Sequence, residues 1–592
     1  MDETHNDGGV VQTKKNSLIQ TIKSTMTSFS ITEKIIFLAI LVIFILSALG
    51  ILSVLNKSQT VSMPVHGGTY TEGVVGYARF INPVLSYTDA DKDLSSLIYS
   101  GLLKVSPDGE LVNDLAESYT ISEDGLIYDF KLKSNLTFHD GKPLTTDDVE
   151  FTIQKITDSA IKSPKFLNWN GVQIQKINET EIKFILKKSY TPFIENMTIG
   201  ILPKHIWESV QNEAFDISAF NREPIGSGPY KIKSATRDNT GLYESYNLES
   251  FSEYSNGEPY IRNLIVNFYK NEKDAVEAFN SGYIDGLGGI SPETAKAAKI
   301  GNKENGKHAI KSTLPRIFAV FFNQSQSPVL LNKEVRNALN TAINREDLIA
   351  EIFNGFATPA YGPIPYEKDS KNKSPQENNE ELAKRILSSG GWKPGEDGIM
   401  IKNSKSGKGS STQRLSFILT TSNIPELRNT AESLKARWQK IGAEVDIQLF
   451  DSADLNQTII RPRKYSALLF GNIINRDLDL YPFWHSSQRT DPGLNIAQYA
   501  NIKVDKLIDI SRSSMDDEKR VEAYRQIEKE IQEDIPAIFL YSPDYIYLTS
   551  GRAKNIKIEN PNQPSERFSN INEWYTKTEN IWKFLINKQD NK

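Results

Sequence analysis

Few side chains in this sequence are spaced for chemistry. The 592-residue chain has no cysteine and six histidines: His5, His66, His139, His205, His308 and His485. No two of them form a His-x-His pair or an HExxH helix, and thiolate sites, disulfides and thiol nucleophiles are excluded together. Neither a metal site nor a cofactor is expected. His139-Asp140 has the residue types of a catalytic dyad, but no G-x-S-x-G elbow supplies a nucleophile. The pair opens the turn His139-Asp140-Gly141-Lys142-Pro143, where Asp and Gly form turns for local reasons, so a structural role is expected. Gly301-x-x-x-x-Gly306-Lys307 approaches a phosphate-binding loop. However, His308 stands where Ser or Thr would hold magnesium, and the helix-like run ETAKAAK precedes it where a strand is required; an exposed turn is expected. Asp477-Leu478-Asp479 brings two carboxylates into a loop after an apolar run, where they could do acid–base work, cap the loop or anchor a ligand.

The elements around these residues read as mixed α and β. Tyr128, Phe130 and Leu132 alternate with polar residues, as do Ile182, Phe184 and Leu186, and Leu264, Val266 and Phe268; each predicts a half-buried strand. Thr145 with Asp148 predicts a capped helix whose inner face is Val149, Ile153 and Ile156. Ile317 to Phe322 predicts a fully buried strand. Asn332 is placed to cap a helix carrying Val335, Ala338, Leu339, Ala342 and Ile343 on one face. Leu415 to Thr420, a stripe of Leu427, Ala431, Leu434, Trp438 and Ile441, and Val445 to Leu449 form a βαβ crossover, so part of the sheet must be parallel. Ile538 to Leu548 predicts a late strand. Tyr366 to Glu381 and Asn403 to Arg414 read as solvated loops.

One stretch fixes where the chain resides. Ile35 to Val54 carries no charge, and as a helix it is about 30 Å long, the thickness of a hydrocarbon core. Lys14, Lys15, Lys23 and Lys34 favour a cytoplasmic N-terminal arm, which puts the bulk of the chain outside as a single-pass protein of the cell membrane. A cleaved signal peptide, with its core at Ile35–Leu46 and small residues after it, is the alternative; the length favours a retained anchor. The net charge of −5 and pI near 5.9 argue against nucleic acid as a partner.

Several pieces, in order, resemble the extracellular solute-binding proteins of ABC transporters in the oligopeptide, dipeptide and nickel family (family 5). GLIYDFKLKSNLTFHDGKPLTTDDVEF, from Gly125 to Phe151, is similar to that family's strand, F-H-D-G turn and threonine-capped helix. Gly67 to Leu103 resembles its opening strand and first helix. Gly226-Ser227-Gly228-Pro229-Tyr230 resembles its G-T-G-P-Y turn. Val335, Arg336, Ala338, Ala342, Ile343 and Arg345 match its V-R-x-A-x-x-x-A-I-x-R helix. Trp484-His485-Ser486 resembles its W-H-S.

The resemblance implies an α/β, two-lobed, periplasmic-binding-protein-like clamp with an inserted subdomain, preceded here by one transmembrane helix. The expected divisions are a cytoplasmic arm 1–34, anchor 35–54, tether 55–63, first lobe 64–100, 222–311 and 548–592, inserted subdomain 101–221, and second lobe 312–547. Hinge crossings are expected near Ser312 to Phe318 and Ile538 to Tyr547. It implies a non-enzymatic monomer that binds a peptide between its lobes and delivers it to a membrane permease. A nickel chelate or oligosaccharide would be an alternative solute, and an anchored hydrolase an alternative of another class. The loop Tyr77, Ala78, Arg79 and Phe80 should line the cleft from one lobe and Gly471 to Asp479 from the other. Relatives often follow Gly with Trp and an acid that holds the ligand amine; here Gly471 is followed by Asn472, with Asn475, Asp477 and Asp479 beyond it. Asp477 is expected to take the amine, Arg79 to meet a ligand carboxylate, and Trp484 to lie near the cleft.

Overall fold

The computed structural model describes residues 23–25, 27–301, 306–365, 380–406, 409–474, 476 and 478–583. The chain divides into two compact units, 1–65 with 577–592, and 66–576. In the first, one helix runs from Ile31 to Gln59 and contains the whole uncharged stretch. Ser30 starts it: its Oγ accepts from the Glu33 amide, and the Glu33 carboxylate accepts from the Ser30 amide at 2.8 Å. The segment expected as a tether is different. Asn56 to Gln59 contain neither Pro nor Gly, so the helix continues through them, and Thr60–Pro64 is a strand paired antiparallel with Thr578–Trp582. That pairing partner comes from the far end of the chain, which no local pattern announces. The last strand therefore belongs with the N-terminal unit.

The second unit is built on a 12-stranded sheet. Its continuous thread is Ala537–Thr549. The C-terminal half of this strand pairs with His308–Thr313 and Gly286–Gly288, beyond which lie Thr69–Val75, Asn263–Tyr269, Tyr243–Ser250 and Tyr230–Arg237. Its N-terminal half pairs with Arg316–Phe322, which leads on through Ala467–Ile473 and Ser416–Ser422 to Glu444–Phe450. The predicted βαβ crossover is present: Ser416–Ser422 and Glu444–Phe450 are parallel neighbours joined by the helix Pro425–Lys440, whose Leu427, Ala431, Leu434 and Trp438 are buried.

The buried apolar clusters divide cleanly. Two contain only residues from 317 to 541, one on each face of the second half-sheet. The other two draw their buried members from residues 70–314 and 545–574. The chain passes between these groups twice, at Leu314-Pro315 between two strands and through the middle of Ala537–Thr549. Residues 101–221 carry their own four-stranded sheet, with Ala116–Ile121, Ile127–Leu132, Glu181–Ile185 and Gln173–Lys176 in spatial order, and share a core with the first group.

Local outcomes follow from side-chain chemistry. The capping box at Thr145 and Asp148 is formed. Asn332 stands at the N-cap, but its amide donates to Val329 O at 3.0 Å instead of accepting, and the helix stops at Thr341 before a second one, Arg345–Phe353. The expected loop Asn403 to Arg414 is instead part of an antiparallel pair, Met400–Ser406 with Gly409–Arg414. A strand rich in Ser, Lys and Asn shows no period-2 signal. Tyr366 to Glu381 falls almost entirely outside the described residues, as does most of the arm 1–34. Lys307 is no phosphate ligand: its Nζ donates to Phe279 O and Asn280 O at 2.8 Å, near the C-terminal end of the helix Glu272–Ser281.

Candidate functional site

The family-like motifs form joints, and one joint explains two of them. His139 is half-buried; its Nδ1 accepts from the Gly226 amide at 3.2 Å and its Nε2 donates to Gly228 O at 3.1 Å. Burial holds its pKa down at about 4, so the ring is neutral. The F-H-D-G turn thus clasps the G-S-G-P-Y turn. Glycine is needed there because a Cβ at Gly226 would overlap the Ile98 carbonyl. Asp140 is engaged by His205 at 2.8 Å, so the suspected dyad is structural. Arg336 is also buried, and donates to the carbonyls of Leu330, Leu331, Asp534 and Ile535 at 2.8–2.9 Å. Among the described residues no three metal-ligating side chains come together.

A cavity of about 600 Å³ lies against the helix Asp89–Ile98, within the roughly 300–1,000 Å³ span of small-ligand sites. Thr88 caps this helix in a box with Asp91, and the other oxygen of Asp91 accepts from the amides of Arg79 and Phe80 at 2.7 and 2.9 Å. On another face of the helix, Asp93 forms two 2.7 Å bonds with Arg567, which also reaches Glu72 at 2.9 Å. All three are almost fully buried. The helix is thereby fixed between the loop before it and the C-terminal segment. Lys92, Ser95, Ser96 and Tyr99, spaced i, i+3, i+4 and i+7, line the cavity. Residues near the four-stranded sheet add Lys165, Trp169, Tyr190 and Phe193; the group of elements between 317 and 541 adds Arg476 and Arg512; the C-terminal segment adds Asn562 and Glu566.

Across this cavity the two groups of elements touch through polar side chains. Arg512 lies over the rings of Tyr481 and Tyr190, 4.2 and 5.0 Å from their centroids, and pairs with Asp479 at 3.1 Å. The Tyr190 hydroxyl donates to Asp479 at 3.1 Å, and Ser189 and Thr191 donate to the carbonyls of Ser513 and Arg512. Arg476 pairs with Glu566 at 2.5 Å, and burial raises the Glu566 pKa against the pull of Arg476.

The sequence-predicted residues that the structure describes fall around this cavity rather than in it. Tyr77 packs on Phe268, Ala78 is buried, and Arg79 is exposed over the Phe80 ring at 5.6 Å. Their loop leads into Pro83 and Ser86, which do line the cavity. Gly471 and Asn472 lie on the strand Ala467–Ile473, and Gly471 leaves room for the Phe318 ring. Asn475 and Asp477 lie outside the described residues. Asp479 is engaged by Arg512 and Tyr190 and is only 8% exposed. Trp484 reaches no surface: it is 1% exposed, packed among Phe321, Tyr499 and Phe539. In the W-H-S motif, Ser486 bonds to Asp505 and so locks the turn. Lys92, Lys165, Tyr190, Arg476 and Arg512 were not singled out. The signal for the first was the polar i, i+3, i+4, i+7 stripe.

The sequence profile described as "Bacterial extracellular solute-binding proteins, family 5 Middle" matches residues 110–492, well over half of the chain. The chain belongs to this family. It is 29% identical over 531 residues to the oligopeptide-binding protein AppA of Bacillus subtilis, covering 88% of this chain and 94% of that one. The structure of AppA in complex with a nonapeptide superposes with a TM-score of 0.63, covering 87% of this chain and 100% of that one. The ABC transporter substrate binding protein CtaP of Listeria monocytogenes is 27% identical with a TM-score of 0.70, at 86% and 99% coverage. NikZ of Campylobacter jejuni, in complex with Ni(L-His), is 26% identical with a TM-score of 0.64, also at 86% and 99%. The architecture is therefore the mixed α/β, two-lobed fold of periplasmic binding proteins.

Proposed function

We propose that this chain is the peptide-binding component of an ABC importer, tethered to the membrane by the helix Ile31–Gln59 and handing its ligand to a permease. The observation that carries this reading is the cavity walled by both lobes, whose apolar cores are separate and whose mutual contacts are polar. A ligand that touches both walls only when they meet favours the closed state by its differential affinity. In this reading the first lobe comprises 66–100, 222–311 and 548–576, the inserted subdomain 101–221 and the second lobe 312–547, with Leu314-Pro315 and the middle of Ala537–Thr549 as hinges. The chain works as a monomer that binds rather than transforms, since its dyad-like pair His139-Asp140 is committed to turns. Peptide is favoured over other solutes by the likeness to AppA across nearly the whole chain. Arg476 and Arg512 stand on the second-lobe wall of this cavity, and Asp477 keeps its expected role as partner of a ligand amine.

The test is mass spectrometry of ligand released from the full chain purified in detergent. Short peptides are expected; a nickel chelate or an oligosaccharide in their place would overturn the peptide assignment while leaving the fold-level reading. Membrane fractionation tests the tether: the chain should stay with membranes after high salt and carbonate, and deletion of 31–59 should release it. Recovery of the intact chain in the soluble fraction would refute the tether.

A further inference from the structure

We propose that the C-terminal end of the chain is a second membrane contact. Trp582 and Lys583 lie in the headgroup layer beside the end of the helix Ile31–Gln59, and the apolar residues that follow them, Phe584, Leu585 and Ile586, enter the edge of the hydrocarbon core. The proposal rests on the tether reading above and adds a second point of attachment to it.

The helix Ile31–Gln59 leads directly into the strand Thr60–Pro64, which pairs antiparallel with Thr578–Trp582, Thr60 opposite Trp582 and Pro64 opposite Thr578. The first strand therefore leaves the helix and the second returns to it. At the far end of this ribbon the Val65 amide donates to Lys577 O at 3.2 Å. At the near end Lys583 Nζ donates to Ser58 O at 2.7 Å, in the last turn of the helix. The uncharged stretch ends at Val54. At about 1.5 Å per residue, Ser58 stands about 6 Å beyond it and Thr60 about 9 Å, which puts Ser58 in the headgroup layer and Thr60 at its outer edge. One residue spans at most about 3.6 Å, so Phe584, Leu585 and Ile586 have the reach to arrive at the level of Val54 from Lys583.

The side chains fit that position. The other six tryptophans are buried, each at 2% exposure or less, whereas Trp582 is 39% exposed. Lys57 and Lys583 are exposed at the near end of the ribbon, and the acidic Glu579 stands at the far end opposite Met63. Trp settles at a membrane–water interface through its amphipathic ring, and Lys does so by laying its stem on apolar surface with the ammonium among the phosphates. An exposed Trp followed by Lys, Phe, Leu and Ile leaves apolar surface in water at a free terminus; beside a bilayer the same run gains by burial.

The experiment uses the full chain, which has no native cysteine, reconstituted in vesicles of phosphatidylcholine and phosphatidylglycerol. Leu585→Cys, Leu52→Cys and Tyr283→Cys, made singly, carry a polarity-sensitive dye, and quenching is read with lipids bearing a nitroxide high on the acyl chain. Leu52 lies in the helix and reports the tether, while Tyr283, 78% exposed in the unit 66–576, reports the exterior. The dye at Leu585→Cys should shift its emission to the blue and be quenched as that at Leu52→Cys is, and the dye at Tyr283→Cys should do neither. Adding Phe584→Ser and Ile586→Ser should abolish the shift and the quenching at Leu585→Cys and leave Leu52→Cys quenched. A Leu585→Cys dye that stays in water while Leu52→Cys is quenched, or one whose quenching survives the two serines, would overturn the second contact and leave the tether standing. A blue shift without quenching would place the segment against protein and overturn the lipid contact. Absence of quenching at Leu52→Cys would overturn the tether itself and this proposal with it.

Discussion

Arg476→Met should open the clamp without unfolding either lobe. Arg476 lies beyond the end of the strand Ala467–Ile473, Glu566 lies in the C-terminal segment of the other lobe, and they meet at 2.5 Å with only 17% and 12% of their side chains exposed. Glu566 also accepts from the Asn562 amide at 2.6 Å, so its carboxylate cannot swing out to water while the lobes are shut. Removing one partner of a fully buried pair costs about 3–5 kcal/mol, and residual solvent access reduces this to about 2–3 kcal/mol here. The cost falls on the closed state alone, because both groups are hydrated once the lobes separate. The closing equilibrium should therefore shift by about 30- to 150-fold. The absence of native cysteine makes the assay clean. Cysteines at Tyr283 and Ile502, exposed at 78% and 75% on opposite lobes, take a donor and an acceptor dye. Single-molecule transfer should show an open population that grows in Arg476→Met, and ligand affinity should fall with it. Adding Glu566→Gln should restore part of the closed population, since an amide is cheaper to bury unpaired than a carboxylate. An unchanged distance distribution in Arg476→Met, or a loss that Glu566→Gln fails to relieve, would refute the role of this pair in closure.

Three further outcomes probe the joints that hold the lobes. Gly226→Ala should cost about 1–3 kcal/mol in urea unfolding, because its Cβ meets the Ile98 carbonyl and backbone must move. Arg336→Met should cost about 3 kcal/mol or more, since four carbonyls lose their donor at once; Arg336→Lys should rescue only part, lacking the planar fork. His139 should impose an acid-side loss of stability. Its pKa is about 4 when folded against 6.5 normally, so the unfolded chain binds the extra proton. The contribution is complete above pH 6.5 and is lost as pH falls towards 4, at about 1.4 kcal/mol per unit and about 3 kcal/mol in all. Stability curves of wild type and His139→Gln should differ in slope across that window and run parallel above it.

What the sequence disclosed was governed by where each residue's partner lies. The half-buried strands at 127–132, 181–185 and 263–269 show their alternation because one face of each meets a core. The crossover at 416–450 shows its helical stripe for the same reason. Motif order then identified the family, although the reason for the motifs was hidden: His139 and Gly226 are far apart in the chain and matter to each other. The cavity was the least legible part. Lys92, Ser95, Ser96 and Tyr99 make a polar helical face that reads like any solvated one, and only the approach of residues 165–200 and 562–566 turns it into a wall. The loop 77–80 and the segment 471–479 were found by resemblance, and they came within a few residues of the lining positions without naming them. That miss has a physical cause specific to clamps. Surfaces that meet on closing must also stand in water when the lobes part, so they cannot carry the apolar runs by which buried contacts are recognised. Tyr190, Asp479, Arg512, Arg476 and Glu566 satisfy both states by being polar and paired. This makes them inconspicuous in the chain, and it is also why the lobes can separate at a cost that a bound ligand is able to offset.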